Sequence, residues 1–268
     1  MSGFSADWLA LREPYDRAAR NAAVLAAVGR RFSGLAAIAV VDLACGTGST
    51  RRAIGPQLPP RQAWRLVDND LSLLARAAAP TSSAQVAITG RPVDLARDLE
   101  LALEGPLDLV TTSALFDLVS QPWLDRLALE AAARNLPVYA ALTYNGEAAI
   151  DPADPFDAAV VDAVNRHQRT DKGFGPALGP AAAQAARQSF ERVGYQAMEG
   201  RSDWVFGPND RDIQAQTLAG WATAAQEMGL SPDKIADWLT RRGGQIAAGR
   251  SAMRVGHVDL FAVPTGRR

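Results

Sequence analysis

Val40-Val41-Asp42-Leu43-Ala44-Cys45-Gly46-Thr47-Gly48-Ser49-Thr50 is the stretch that decides how the chain is read. Ile38, Val40, Val41 and Leu43 make the apolar tail of a strand, which breaks into a Gly-x-Gly turn able to open a helix at Ser49 and Thr50. Glycines stand where backbone must come close to a ligand. About twenty residues further on, Trp64-Arg65-Leu66-Val67-Asp68 reads as a second strand ending in a carboxylate, at the spacing where an acid grips ribose hydroxyls. Together the two segments describe a loop for a nucleoside-bearing cofactor.

Two cofactor classes use such a loop. A dinucleotide loop needs a third glycine for close helix packing and sets a pyrophosphate on the helix N-terminus, whereas Arg51 occupies that third position here. Asp42, before the turn, would repel a pyrophosphate and instead suits a cofactor carrying an ammonium group. On Asp42, Gly46 and Gly48 the sequence resembles the class I S-adenosylmethionine-dependent methyltransferases, whose first motif is an acid followed by a Gly-x-Gly turn. The resemblance implies S-adenosyl-L-methionine as cofactor. It also implies an α/β fold: a three-layer α/β/α sandwich on a seven-stranded, mostly parallel sheet whose last strand is antiparallel. The cofactor signals cover roughly 42–117, and beyond Tyr144 the likeness is to the general framework.

Composition narrows the function classes. The 268 residues are 48% hydrophobic, enough to bury a sizeable core. With 28 basic against 29 acidic side chains there is no net basic field for nucleic acid or an anionic membrane. The acceptor is therefore expected to be a small molecule. The single cysteine and two distant histidines give neither a disulfide framework nor a zinc-ligand set, and in-line methyl transfer asks for no metal. No leader-like or long apolar segment is evident, which places the expected location in the cytoplasm, with no membrane partner. Composition leaves the oligomeric state open.

Taken in order, Trp8, Leu11, Tyr15, Ala18, Ala22, Leu25 and Val28 form a helical stripe that Pro14 is expected to split into two pieces. In the resembled enzymes such helices often lie across the cofactor, which makes Arg12 and Tyr15 candidates for its methionine end. Strands are expected over 37–43, 63–67, 85–89, 107–113 and 137–143, with a sixth begun at 195–198 and extended through 206, and a closing strand over 255–263. Asp70 is placed to cap the helix that Pro80 stops, leaving Asp68 as the ribose ligand beside Asn69. By the resemblance, Pro92-Val93-Asp94-Leu95 matches the adenine-binding segment, although an exposed turn acid is the alternative for Asp94. Ala44 and Ser113 complete the expected cofactor contacts.

The turn after the fourth strand, Ala114 to Ser120, lies at the edge where open α/β sheets place ligands. Members of the resembled family often carry a histidine there facing the transferred methyl group. Asp117 stands at that place, either as a catalytic residue or as a cap for the next helix. Tyr144-Asn145-Gly146-Glu147 is expected to leave the fifth strand as a polar loop over the same crevice. His167 ends a helical face formed by Phe156, Val160, Ala163 and Val164 and is either a core histidine or part of a lid reaching Gly175. Asp117, Tyr144 and His167 are the candidate catalytic groups; Asn145, Lys172 and Trp204 are the candidate acceptor contacts. His257 receives no catalytic role.

The organisation follows as one domain over 1–268: a helical cap at 1–34, a cofactor core at 35–146, a substrate lid at 147–179 and a C-terminal half at 180–268 with helices inserted at about 209–250. The alternatives to a small-molecule methyltransferase are an RNA methyltransferase, a nicotinamide-dependent oxidoreductase on the same loop, and a non-catalytic protein that keeps the cofactor fold.

Overall fold

The computed structural model describes residues 4–79 and 83–266. Its elements in chain order are α1 (Ala6–Ala19), α2 (Ala22–Phe32), β1 (Ala37–Leu43), α3 (Ser49–Ile54), β2 (Arg61–Asp68), α4 (Leu71–Ala77), β3 (Val86–Pro92), α5 (Leu99–Ala102), β4 (Leu109–Ser113), α6 (Gln121–Ala133), β5 (Val138–Asp151), α7 (Asp157–His167), α8 (Ala182–Arg192), β6 (Tyr195–Arg201), β7 (Trp204–Phe206), α9 (Arg211–Glu227), α10 (Pro232–Ala247) and β8 (Ala252–Pro264). The sheet order is β3-β2-β1-β4-β5-β8-β6, with β7 also pairing β8. β1 to β5 pair in parallel, while β8 runs antiparallel to β5, β6 and β7. The strand read as a sixth is interrupted at Ser202 and Asp203, so the sheet has eight strands where seven were expected.

Alternation along β1 builds two layers. Ile38 and Val40 face a core shared with Val24, Val28 and Phe32 of α2, whereas Val41 and Leu43 face the core of α5, α6 and α8. A third cluster joins α7, α9 and α10 over the ends of β5 and β8, through Val160, Ile213, Leu218, Trp238 and Val255. The helices inserted between β7 and β8 thus cover strand ends that overshoot the parallel sheet. Among the described residues no helix is long and apolar enough to cross a membrane.

Two expectations need correction. Pro14 lies inside α1 without dividing it; buried Arg12 and Asp16 pin the helix on either side, and the break comes at Asn21, whose side chain caps the Ala23 and Val24 amides. Tyr144 to Glu147 is not a loop but part of a long β5, with register shifts between Ala140 and Thr143 and between Tyr144 and Ala148. Leu142 and Gly146 take the left-handed conformation there, with φ 54° and 86°. The segment after α7 is a packed strap: the Leu178 amide bonds the Val119 carbonyl, and Phe174 meets Trp123 edge-on at 5.4 Å. The expected helix stop at Pro80 lies outside the described residues.

Candidate functional site

At the C-terminal end of β1, Asp42 is fully buried between β2 and β4. Thr111 donates to its Oδ1 at 2.8 Å, and among the described residues its Oδ2 has no hydrogen-bond partner. Burial pushes the carboxyl up to about 7; the Thr111 hydroxyl, the Arg20 guanidinium and, more weakly, the Thr50 hydroxyl oppose that rise, and Asp68 adds to it. Beyond Leu43 the backbone is left-handed at alternate residues, Ala44 (φ 51°), Gly46 (54°) and Gly48 (81°). An L residue at Ala44 carries a strain of about 1 kcal/mol. The loop is tied to β2 by Cys45 N to Val67 O at 2.9 Å and Gly46 N to Asp68 Oδ2 at 2.8 Å. The other oxygen of Asp68 accepts from Asp70 N at 3.0 Å, and Asp70 caps α4 as expected. Asn69 is exposed beside it.

α1 lies across this loop. A Cβ built on Gly46 would stand 3.2 Å from Leu9 Cδ1. Glu13 accepts two bonds of 2.6 Å from Arg52, whose Nη1 also donates to Thr47 O at 2.7 Å. On the other side Arg12 donates to Asp16 at 2.9 Å and lies 5.0 Å over the Trp204 ring, and the Trp204 indole donates to Asp16 at 2.9 Å. Tyr15 donates to Asp210 at 2.8 Å, and burial with that carboxylate raises its phenol to about 12. Arg20, at the C-cap of α1, donates to the Tyr139 hydroxyl and to Ser113 Oγ at 3.3 Å each, leaving its Nε unpartnered. Tyr139 in turn donates to Asp259, which also accepts from the Asn21 and Leu142 amides.

The edge beyond β4 carries Asp117 in the single helical turn Phe116–Leu118. It is buried, its Oδ1 is unpartnered, and burial raises the carboxyl to about 6 against the pull of the Asp117 and Tyr144 backbone amides. The neighbouring Tyr144 hydroxyl donates to Asn165 at 2.8 Å. The Tyr144 ring meets His257 at 6.0 Å and His257 meets Trp204 at 4.9 Å. His257 shares a bond between Nδ1 and Val255 O, and burial with nearby Arg12 lowers it to about 3, so the ring is neutral.

The structure therefore brings Asp42, Ala44, Gly46, Gly48 and Asp68 together at one loop, joins Ser113 to them through Arg20, and sets Asp117 beside Tyr144. His167 lies elsewhere: Asn165 turns toward Tyr144, and His167, two residues or about 200° further round the helix, meets Glu227 at 2.8 Å and Lys172 at 3.3 Å. Burial lowers the Lys172 ammonium. Asn145 accepts from Glu147 N and closes over Gly256. Asp94 is exposed and turns back on Ala96 N, while the Leu95 carbonyl is taken by Trp123 at 2.6 Å. A depression of about 590 Å³ lies at the opposite end of β1 and β2, lined by Ala37, Arg61 and Asp108, away from all of these groups.

The sequence reading passed over Arg20, Asp16 and Glu13. The available signal was the polar repeat Arg12, Asp16, Arg20, which puts three charges on one face of α1. His257 and Asp259 were signalled only as polar residues alternating along an apolar strand.

No protein-family model and no curated protein sequence matches the chain. Among solved structures, a cyclopropane-fatty-acyl-phospholipid synthase-like protein from Lactobacillus casei aligns over 97% of this chain and 94% of its own, with TM-score 0.55 and 12% identity. A putative methyltransferase from Bacillus halodurans aligns over 91% and 100%, with TM-score 0.49 and 14% identity. The mycolic acid cyclopropane synthase CmaA1, solved with SAH, aligns over 90% and 83%, with TM-score 0.49 and 11% identity. The chain has the class I methyltransferase fold.

Proposed function

We propose that this protein is an S-adenosylmethionine-dependent methyltransferase acting on a small-molecule acceptor. The observation that carries the reading is the pair of unpartnered buried atoms Asp42 Oδ2 and Arg20 Nε, which lie within electrostatic reach of one another. A buried carboxylate oxygen and a buried guanidinium nitrogen that both lack a hydrogen-bond partner complement the α-ammonium and α-carboxylate of an amino-acid moiety. Asp42 would hold the ammonium and Arg20 the carboxylate. Asp68 with Asn69 would meet the ribose, Asp94 and Leu95 the adenine edge, and Ala44, Gly46, Gly48 and Ser113 would line the loop. When bound, the cofactor supplies a methyl group already activated on a sulfonium.

The chain's own task is then to orient the acceptor and exclude water. Asp117 and Tyr144 would stand at the acceptor edge, with Asn145 and Trp204 as its further contacts, while His167 and Lys172 would act only from the segment that closes over it. Segment 147–179 closes that side and 1–34 the cofactor side. The balanced charge favours a small acceptor over RNA, and the chemistry suits a cytoplasmic enzyme. One observation favours a second reading: Leu9 against Gly46 and the Glu13–Arg52 pair fill the cofactor side, as a non-catalytic protein on this fold would permit.

Calorimetry with S-adenosylmethionine, S-adenosylhomocysteine and NAD tests the reading. Binding of the sulfur nucleosides, followed by methyl incorporation into a metabolite extract, is expected. Binding of NAD alone would replace it with an oxidoreductase, and binding of none of the three would favour the second reading.

A further inference from the structure

The acceptor edge contains a carboxyl that the chain answers only in part, through the Asp117 and Tyr144 backbone amides. Asp117 is 5% exposed and its Oδ1 has no hydrogen-bond partner among the described residues. The nearby cation, Arg12, is committed to Asp16 at 2.9 Å and to the Trp204 face. Tyr144 cannot serve Oδ1 as it stands, because its hydroxyl is given to Asn165. From Tyr144 the wall continues through the rings of His257 and Trp204, 6.0 and 4.9 Å between successive centroids, and the imidazole is anchored through Nδ1 on the Val255 carbonyl.

An isolated buried carboxylate is costly, and a cation bearing an N–H offsets that cost far better than a neutral donor does. A hydroxyl would fill one lone pair and leave the charge uncompensated, and the aromatic rings of the adjoining wall suit the alkyl part of such a cation. We propose that Asp117 and the Tyr144–His257–Trp204 wall form the binding site of an amine acceptor, taken up as a primary or secondary alkylammonium ion. The proposal rests on the methyltransferase reading and adds the acceptor class to it. In the step that prepares the nitrogen, one N–H bond breaks and its proton passes to Asp117 Oδ1. The electron pair stays on nitrogen as the nucleophile, and the pair of charges, one positive and one negative, is converted to two neutral groups. Asp117 later returns the proton to water.

The test compares n-butylamine with butan-1-ol and phenethylamine with 2-phenylethanol, titrated by calorimetry into the full chain and into Asp117→Asn, with and without S-adenosylhomocysteine. The wild type should bind each amine at least tenfold more tightly than its alcohol. Asp117→Asn should lose at least tenfold for the amines and stay within twofold for the alcohols. In the wild type, the ¹³C signal of the Asp117 carboxyl, assigned through its connectivity to the wild-type backbone resonances, should move with the amines and not with the alcohols, a readout that does not depend on how the variant folds. Equal affinity for amine and alcohol, equal amine binding by wild type and variant, or no amine binding at all would overturn the proposal. If S-adenosylhomocysteine binds in the same samples, that failure leaves the methyltransferase reading intact; if it does not bind, the failure lies with that reading.

Discussion

Asp68 at the end of β2 and Asp42 at the end of β1 sit on neighbouring strands and are built in opposite ways. Both oxygens of Asp68 accept main-chain amides, from Gly46 and Asp70. Asp42, like Asp117 in the turn after β4, keeps one oxygen without a hydrogen-bond partner among the described residues. The first arrangement fixes a loop, since removing the acid leaves two half-buried donors without an acceptor. The second costs the fold free energy and has no structural return. Groups that make the fold less stable in this way are where binding is to be sought.

The contrast predicts opposite signs on mutation. Asp68→Ala should lower unfolding stability by roughly 3 kcal/mol in denaturant titration, through the orphaned Gly46 and Asp70 amides; a loss under about 1 kcal/mol would mean the loop holds without it. Asp42→Asn should instead raise stability at pH 8, by on the order of 2 kcal/mol. The Asp42 carboxyl is raised from its ordinary 3.8 to about 7, so the folded state holds a proton that the unfolded state has released. Its contribution is fully present below about pH 4 and is lost as pH rises towards 7. Thermal melts across that window should show a slope in the wild type that the variant lacks, and identical slopes would sink the assignment.

Smaller effects sharpen the same contrast. Ala44→Gly relieves a left-handed alanine (φ 51°) and should stabilise by about 0.5–1 kcal/mol in thermal melts, less than the full strain because glycine loosens the unfolded chain. His167→Ala breaks a half-exposed pair with Glu227 and should change stability by less than about 0.5 kcal/mol. A larger loss would show that the His167–Lys172 cluster holds the strap after α7 in place.

The parallel half of the fold was legible because its signals are local. Apolar runs, the Gly46-Thr47-Gly48 break and Asp68 each report on a few adjacent residues, and β1, α3 and β2 lie where those residues place them. What the sequence concealed depends on contacts far apart in the chain. Pro14 reads as a break until Arg12 and Asp16 are seen pinned to Trp204, nearly two hundred residues away. Tyr144 to Glu147 reads as a loop because its bulges and glycine mask a strand whose pairing is supplied by β8. At the site, Asp42, Asp68 and Asp117 were named from position alone. Arg20 was not, since only the folding of α1 over the sheet brings it to Asp42.

The most direct test of the central claim is a calorimetric titration of S-adenosylhomocysteine into the wild type and Asp42→Asn at pH 7.5, paired with thermal melts of both ligand-free proteins. The account predicts that the wild type binds and that the variant binds at least thirtyfold more weakly, about 2 kcal/mol for removing one side of a buried charge pair, while melting at a higher temperature than the wild type. Equal affinity in the two proteins, or no binding by the wild type, would contradict it.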